Sequence, residues 1–377
     1  MDDALRRHFI HSGVHLILND PKPWPDLKML ESREICAGAL HQRHGRKISA
    51  RQSLDVATAI AQGRQYFESA KGASHLTKPL LLYYGVLSLA RSVIMASDVK
   101  GGETSLAEGH GLNAFQWKET LRTTGKTILD LDAEVTRGTF AELAEATKNR
   151  ERGYSLYHGQ YLEPMENLGT ENLRADHSSQ MLSLSSLIAR LPDLTEAYRS
   201  TFGCPARAYP TIVYSYGEMQ TDYFILNPSG DLPQREVLQE RFGWPPSLHL
   251  QEQEHHHLLG NIPGLEFRIS ETTSTAAELE AKFPVKNDRY GFPYLVEPFE
   301  TGFQLSTLSI MFAITYFAGM LVRYFPSRWA ALSSHKDKDK EHSLLIRALD
   351  IIEERFPQLA LDELYSTPNQ EGRYRFW

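Results

Sequence analysis

The sequence has few cysteines for its length. Its 377 residues include only 2, Cys36 and Cys204, and these match none of the C-x-x-C spacings of zinc sites and redox motifs. The residues after Met1 are charged, so no apolar signal segment is visible there. Because disulfides persist mainly in oxidising compartments, we expect a protein of the reducing cytoplasm.

An excess of basic residues is also missing. Lys and Arg number 40 against 47 Asp and Glu, which gives a formal net charge of −7. A surface given over entirely to a nucleic-acid backbone would be strongly positive, so that class is excluded, while a local basic patch stays open. Hydrophobic residues make up 41% and charged residues 23%, which is typical of a globular chain with a sizeable core.

The local motifs of common enzyme classes are absent too. The sequence contains no nucleophile elbow, dinucleotide-binding fingerprint or EF-hand spacing, and Gly101-Gly102 lacks the Gly-Lys-Ser/Thr that a phosphate loop requires. A site assembled from distant residues leaves no such motif. The sequence therefore leans away from an enzyme and predicts no cofactor, but leaves the enzyme question open.

Two long apolar segments are present instead. Lys78 to Met95 has Pro79 in its first turn, where the missing N–H costs nothing, and a helix that is apolar on nearly every face lies in a core or a membrane. Leu305 to Val322 holds no charged residue and is just long enough to cross a bilayer. In a chain of otherwise average composition, we expect both to be buried core helices.

The periodicity of the chain divides it into three parts. Residues 1–204 are predicted to form a helical N-terminal part, in which Ser49 and Gln52 make a capping-box start. Residues 205–295 are predicted to contain a small antiparallel β element, since 208–216 and 222–226 are rich in β-branched and aromatic residues. Residues 296–377 return to helix and pack on the first part, in one integrated unit. The predicted fold class is α+β, mainly α-helical, with a large helical core.

Several segments in this chain form a recognisable series: Trp24, the helix 64–70, the helix 79–96, and the late apolar helix that ends in Arg323-Tyr324 and is followed by Trp329. In their order and chemistry they resemble the YaaC-like protein family. Some members of that family are encoded in small anti-bacteriophage defence gene sets, and the family brings no established catalytic residues. The resemblance therefore implies a non-enzymatic sensor or adaptor in bacterial antiviral defence.

The same resemblance implies partners rather than a reaction. A protein partner encoded nearby is expected, together with a phage component that is sensed and a second copy of the chain as a homo-oligomer. Contact with nucleic acid or a membrane stays open.

A second resemblance covers about a quarter of the chain. A tyrosine-tyrosine step that opens an apolar helix, followed later by a His-Gly turn, is similar to HEPN-type domains. Here those positions are Tyr83, Tyr84, His110 and Gly111.

HEPN-type ribonucleases place an arginine and a nearby histidine at an RNA phosphate. The nearest fit here is Arg152 and His158, in which arginine would hold the phosphate and histidine would move a proton. Gly153 and the spacing of the aromatic residues suit a strand or turn more than a helix. A HEPN-type ribonuclease is therefore the alternative function.

The densest set of metal-ligating residues predicts a third class. On a helix, His249, Glu252 and His256 would share one face and could hold zinc, as in a metal-dependent hydrolase. The competing interpretation is a solvated polar turn before Leu258.

Four residues are predicted to bind a partner or ligand: Arg91, Arg323, Tyr324 and Trp329. For Arg323 the competing interpretation is a helix end at which Pro326 stops the helix and the arginine meets free carbonyls. A buried arginine must be paired, and for Arg91 we expect a carboxylate partner rather than a bound phosphate.

Overall fold

A computed structural model gives the fold of most of the chain. It describes residues 22–99, 101–157, 161–167, 180–215, 220–227, 229–245, 248, 250–253, 263–270, 285–300, 302–333 and 339–366.

The helices, numbered in chain order, are α1 Pro23–Leu30, α2 Arg33–His44, α3 Ala50–Lys71, α4 Lys78–Ser97, α5 Trp117–Arg122, α6 Thr139–Ala146, α7 Leu184–Ile188, α8 Thr195–Phe202, α9 Arg235–Phe242, α10 Thr307–Tyr324, α11 Pro326–Ser333 and α12 Asp339–Tyr365. The start of α3 follows the prediction, because the Ser49 hydroxyl accepts a hydrogen bond from the Gln52 N–H at 3.1 Å. The Gln52 side chain does not complete the box but donates to the carbonyls of Met95 and Asp98.

The strands are β1 His110–Phe115, β2 Asp132–Gly138, β3 Glu151–Tyr157, β4 Tyr161–Asn167, β5 Met181–Ser183, β6 Ala208–Ser215, β7 Gln220–Leu226, β8 Gln251–Gln253, β9 Gly264–Ser270, β10 Val285–Asn287 and β11 Pro293–Val296. Within the described ranges they form a three-stranded antiparallel sheet, β1-β2-β5, and an eight-stranded sheet. The larger sheet runs β10-β11-β6-β7-β9-β8, and β3 pairs with both β4 and β6. The β3–β6 contact is parallel.

The predicted fold class, a mainly α-helical α+β protein, is confirmed. The β structure is nevertheless more extensive than a small element in the middle of the chain, because five strands precede residue 204. These strands were missed for a physical reason. The sequences of β1 and β2 carry little β-branched alternation, so their conformation is set by cross-strand pairing rather than by local propensity.

The helical core is built around α4 and α10. Every residue from Thr307 to Leu321 is buried, and α4 packs against α3, α10 and α12. Glycine permits the closest approaches: a Cβ at Gly319 would lie 2.8 Å from the Tyr83 Cβ, and one at Gly85 would lie 2.7 Å from the Phe67 ring. Among the described residues, α4 and α10 are the two helices long and apolar enough to cross a membrane. Buried core helices meet the same criterion of length and composition. Both helices are mostly buried, as the sequence predicts.

Two hydrophobic cores divide the molecule. The first combines side chains from 27–194 with side chains from 299–364. The second lies between them in sequence, over 209–295, and packs α9 against the larger sheet. The C-terminal helices therefore share a core with the N-terminal ones, while the domain boundaries at 204 and 295 stay a prediction.

Candidate functional site

A tyrosine–histidine pair lies at the edge of the helical core. The Tyr83 hydroxyl on α4 is 2.6 Å from Nδ1 of His110, the first residue of β1. Tyr83 is fully buried, whereas His110 is half-buried and reaches solvent. The pair therefore joins the core to the surface by one short hydrogen bond.

Two glycines fix the position of His110. The register pairs His110 with Gly138 and is irregular between His110 and Leu112. Gly111 and Gly138 both have positive φ, and a Cβ at Gly138 would lie 2.4 Å from the Gly111 N atom. No side chain fits between these backbones, so the tight crossing requires glycine at both positions.

Tyr316 on α10 closes the inner side of the pair. Its ring centroid is 6.0 Å from that of Tyr83 and 5.9 Å from that of His110. Burial raises the pKa of Tyr316 to about 12, although a hydrogen bond with the Ala114 backbone acts in the opposite direction. Both phenols thus stay protonated at neutral pH.

The electrostatics of the pair determine where its protons lie. Burial raises the pKa of Tyr83 far above its ordinary value. Burial, then the positive charges of Arg323 and Arg91, lower the pKa of His110 below 6.5. At pH 7 a protonated phenol therefore faces a neutral imidazole. We assign Tyr83 as the donor to Nδ1, which places the imidazole proton on Nε2.

Among the described residues, Arg91 lacks the carboxylate partner expected from the sequence. Arg91 is partly exposed, and its buried Nε has no hydrogen-bond partner. Within the part of the chain that the structure describes, no carboxylate pairs with it. The Arg323 guanidinium lies 5.1 Å from the centroid of the exposed Tyr324 ring.

Buried charges elsewhere are neutralised. The Lys286 Nζ lies 3.3 Å from a carboxylate oxygen of Glu151. Glu297 receives Arg207 and Arg241, each at 3.0 Å. Such pairs are needed to bury charge at all.

The remaining predicted binding residues, Tyr324 and Trp329, differ in burial. Tyr324 is 59% exposed, whereas Trp329 is 1% exposed and its indole N–H donates to the His75 carbonyl at 2.8 Å. Trp329 is thus a core residue. Helix α10 ends at Tyr324 and α11 begins at Pro326, as the helix-end interpretation predicts.

The structure describes only part of the catalytic and metal sets predicted from the sequence. Arg152 lies in strand β3, as the strand interpretation predicts, and His158 lies outside the described residues. Glu252 is exposed in strand β8, so the helical spacing assumed for the metal set is wrong. His249 and His256 lie outside the described residues. Among the residues that are described, no three His, Cys, Asp or Glu side chains group as metal ligands.

Tyr83 and His110 both belong to the HEPN-type pattern in the sequence, but the pattern does not show that they touch and does not include Tyr316. The signal was the resemblance to HEPN-type domains, which marks the same two positions. What it could not supply was α10, because Tyr316 and Arg323 lie more than 200 residues further along the chain.

The fold and site define a mainly helical α+β protein in which a buried tyrosine is hydrogen-bonded to a half-buried histidine at the edge of the helical core. The chain belongs to the YaaC-like protein family, whose model matches residues 29–364. This range contains every residue of the site. Comparison with curated proteins gives no match, and comparison with solved structures gives none either.

Proposed function

We propose that this protein is a cytoplasmic sensor in bacterial defence against bacteriophages, and that it acts through a protein partner rather than by its own catalysis. The defence role is the one that membership of the YaaC-like family implies. In this proposal, the Tyr83–His110 site receives the signal.

The observation that carries the proposal is the 2.6 Å hydrogen bond between the buried Tyr83 hydroxyl and the half-buried His110. Burial, followed by the positive charges of Arg323 and Arg91, lowers the pKa of this histidine. Perturbed groups of this kind cluster at functional sites. The site therefore has the properties of a ligand-binding position rather than of a structural ion pair.

The output of the sensor would pass through the surface next to the site. Tyr324 is 59% exposed and Phe115 is 41% exposed. Each lies on an element that also carries a site residue, since Tyr324 follows Arg323 on α10 and Phe115 shares β1 with His110. Exposed aromatic residues beside arginine are enriched where proteins bind partners.

The proposal is tested in cells that carry the native gene set. We expect His110→Gln and Tyr83→Phe to reduce protection in a plaque assay while the protein remains folded and abundant. Tyr84→Phe is the matched control, because the structure shows no hydrogen bond from its hydroxyl in the described residues, and it should protect normally. Full protection by a folded His110→Gln variant would contradict the sensor site.

The alternative function, a ribonuclease, is favoured by one observation. A neutral His110 can accept a proton near pH 7, and adjacent arginines can hold a phosphodiester. The chemistry would then centre on His110 rather than on Arg152 and His158. An RNA-cleavage assay with purified protein decides between the two functions, because a sensor does not cleave RNA. Cleavage that depends on His110 would favour the ribonuclease and contradict the sensor.

A variant of Arg152 distinguishes the ribonuclease predicted from Arg152 and His158 from the sensor and from a ribonuclease centred on His110. Arg152 lies on β3, opposite Glu166 in the β3–β4 register. We expect Arg152→Ala to retain protection, because the sensor proposal gives it no chemical role.

Partner capture from infected and uninfected cells, compared between the native chain and Tyr324→Ala, then tests the proposed output surface.

A further inference from the structure

The starting observation is that the outer side of helix α4 is as apolar as its buried side. The buried share of its apolar window is 67%, against 83% for α10. Arg91 is the only charged residue between Leu80 and Ile94. A surface helix normally presents a charged or polar face to water. An apolar face that the described part of the chain leaves open therefore indicates a contact with another molecule.

The half-buried residues of α4 are Lys78, Leu80, Leu81, Tyr84, Leu87, Arg91, Ile94 and Ser97. Among them, residues 80, 84, 87, 91 and 94 recur at alternating spacings of four and three residues, which keeps them on one side of the helix. We call this set the α4 row. Helix α3 borders the row, since the Tyr66 ring lies 5.5 Å from the Tyr84 ring.

The α4 row has the symmetry that a contact between two copies of the chain requires. A two-fold interface uses the same surface twice, so the two halves of that surface must fit each other. Leu80 and Ile94 lie seven residues before and after Leu87. Tyr84 lies three residues before Leu87 and Arg91 four residues after it. Two antiparallel α4 helices that cross at Leu87 therefore place Arg91 of each copy against Tyr84 of the other. The same crossing places Leu80 against Ile94.

Arg91 favours a second copy over a membrane as the occupant of this face. Its Nε atom is buried and has no hydrogen-bond partner in the part of the chain that the structure describes. An arginine in the middle of an apolar face is costly in lipid, whereas a guanidinium group over a tyrosine ring is an attractive contact. In a two-fold dimer this contact is made twice, once by each copy.

We propose that the chain forms a two-fold homodimer through the α4 row, in which the two α4 helices are antiparallel and cross at Leu87. The inference goes beyond the proposed function and does not depend on it. One helix row bordered by α3 is a smaller surface than an obligate dimer uses. We therefore expect a dimer that dissociates on dilution in the micromolar range.

Sedimentation-velocity ultracentrifugation of the full chain over a dilution series measures this equilibrium. We expect Leu87→Glu to weaken dimerisation about thirty-fold or more, because it brings two like charges together at the centre of the contact. Ile35→Glu is the matched control, since Ile35 is 42% exposed and lies on α2 rather than in the row. It should dimerise as the native chain does. Circular dichroism checks that both variants are folded. If Leu87→Glu unfolds, Arg91→Glu replaces it, because this position already holds a charge.

A charge exchange tests which residues meet across the interface. Tyr84→Lys places a lysine against Arg91 of the second copy, so it should dissociate the dimer. Tyr84→Lys combined with Arg91→Glu should restore the dimer, because each lysine then faces a glutamate. The two positions lie seven residues apart in one chain, whereas side chains of one helix pair at three or four residues. Restoration must therefore come from the second copy.

A native chain that stays monomeric at every concentration would overturn the inference, as would a folded Leu87→Glu variant that dimerises normally. Failure of the double variant to restore the dimer would overturn the antiparallel arrangement. The third measurement is flotation with vesicles of phosphatidylethanolamine and phosphatidylglycerol. Binding of a monomeric native chain to these vesicles, lost in Leu87→Glu, would overturn the dimer and assign the row to a membrane.

Discussion

At the scale of single residues, burial sets the protonation of both partners. Tyr83 lies in the core and keeps its proton, while the partial burial of His110, followed by the charges of Arg323 and Arg91, favours a neutral imidazole that can accept from the phenol. A protonated His110 would lose this acceptor and would face two arginines. The pair is therefore stable in one protonation state, which makes it sensitive to pH and to a nearby anion.

The stability of the fold should depend on pH through this histidine. The pKa of His110 is lowered from its ordinary 6.5 by burial and by Arg323 and Arg91. Between the lowered value and 6.5 the unfolded chain binds more protons, so the free energy of unfolding falls as pH decreases through that window. His44, whose pKa is also lowered chiefly by burial, acts in the same direction.

Urea unfolding at a series of pH values between 7.5 and 5, an interval of about one unit or more on either side of 6.5, measures this slope. We expect His110→Gln to flatten it, because the amide does not titrate. The exposed His41→Gln is the control and should leave the slope as it is. Equal slopes for the native chain and His110→Gln would contradict the assignment of a neutral, half-buried imidazole.

Trp329 and Tyr324 lie close in sequence but differ in environment, and their substitutions should differ accordingly. Trp329→Ala removes a core side chain that is 1% exposed and leaves the His75 carbonyl without its donor. Such truncations cost about 3–5 kcal/mol. Tyr324→Ala removes a ring that is 59% exposed, and we expect a change within about 0.5 kcal/mol. Chemical denaturation measures both, and a comparable loss in Tyr324→Ala would place its ring in the core.

At the scale of elements, the sequence predicted the long apolar helices well and the short strands badly. Lys78–Ser97 and Thr307–Tyr324 follow from apolar runs, a first-turn proline and an N-cap serine, all of which are local signals. The strand that carries His110 has the sequence HGLNAF and depends on pairing with 132–138. Tertiary contacts decide the conformation of this strand. The position of the site depends on the same contacts, so it could not be predicted from the sequence.

The crossing of α4 and α10 depends on Gly319. A methyl group there would lie 2.8 Å from the Tyr83 Cβ, an atom close to the helix backbone that cannot move away alone. We expect Gly319→Ala to destabilise the protein by about 1–3 kcal/mol, as overpacking does, and to disturb the Tyr83–His110 hydrogen bond.

Gly38→Ala is the matched control for this crossing. Gly38 also lies within a helix, but nothing stands within 4 Å of an added Cβ. Its replacement should stabilise the protein by about 0.5–1 kcal/mol, since alanine loses less backbone entropy. Thermal unfolding of the two variants should therefore shift in opposite directions; an unchanged or raised midpoint for Gly319→Ala would show that the α4–α10 contact tolerates a methyl group.

At the scale of the whole molecule, a buried polar network connects the larger sheet to the central helix. Glu151 on β3 accepts from the Thr307 N–H at 2.6 Å, in the first turn of α10. Lys286 on β10 lies 3.3 Å from the same carboxylate and donates to the Leu305 carbonyl. The network therefore fixes the start of the helix whose far end carries Arg323.

The charges of this network should be strongly coupled. Burial lowers the pKa of Lys286, against the attraction of Glu151. Removing one partner of a buried pair leaves the other charge uncompensated, which costs about 3–5 kcal/mol. We expect a loss of that size for Lys286→Met and for Glu151→Gln separately. The double variant should be more stable than the sum of the two losses predicts, because glutamine still accepts from Thr307 and no charge remains buried. A double-mutant cycle in urea measures this coupling, and additive losses would show that the two side chains act independently at the start of the helix.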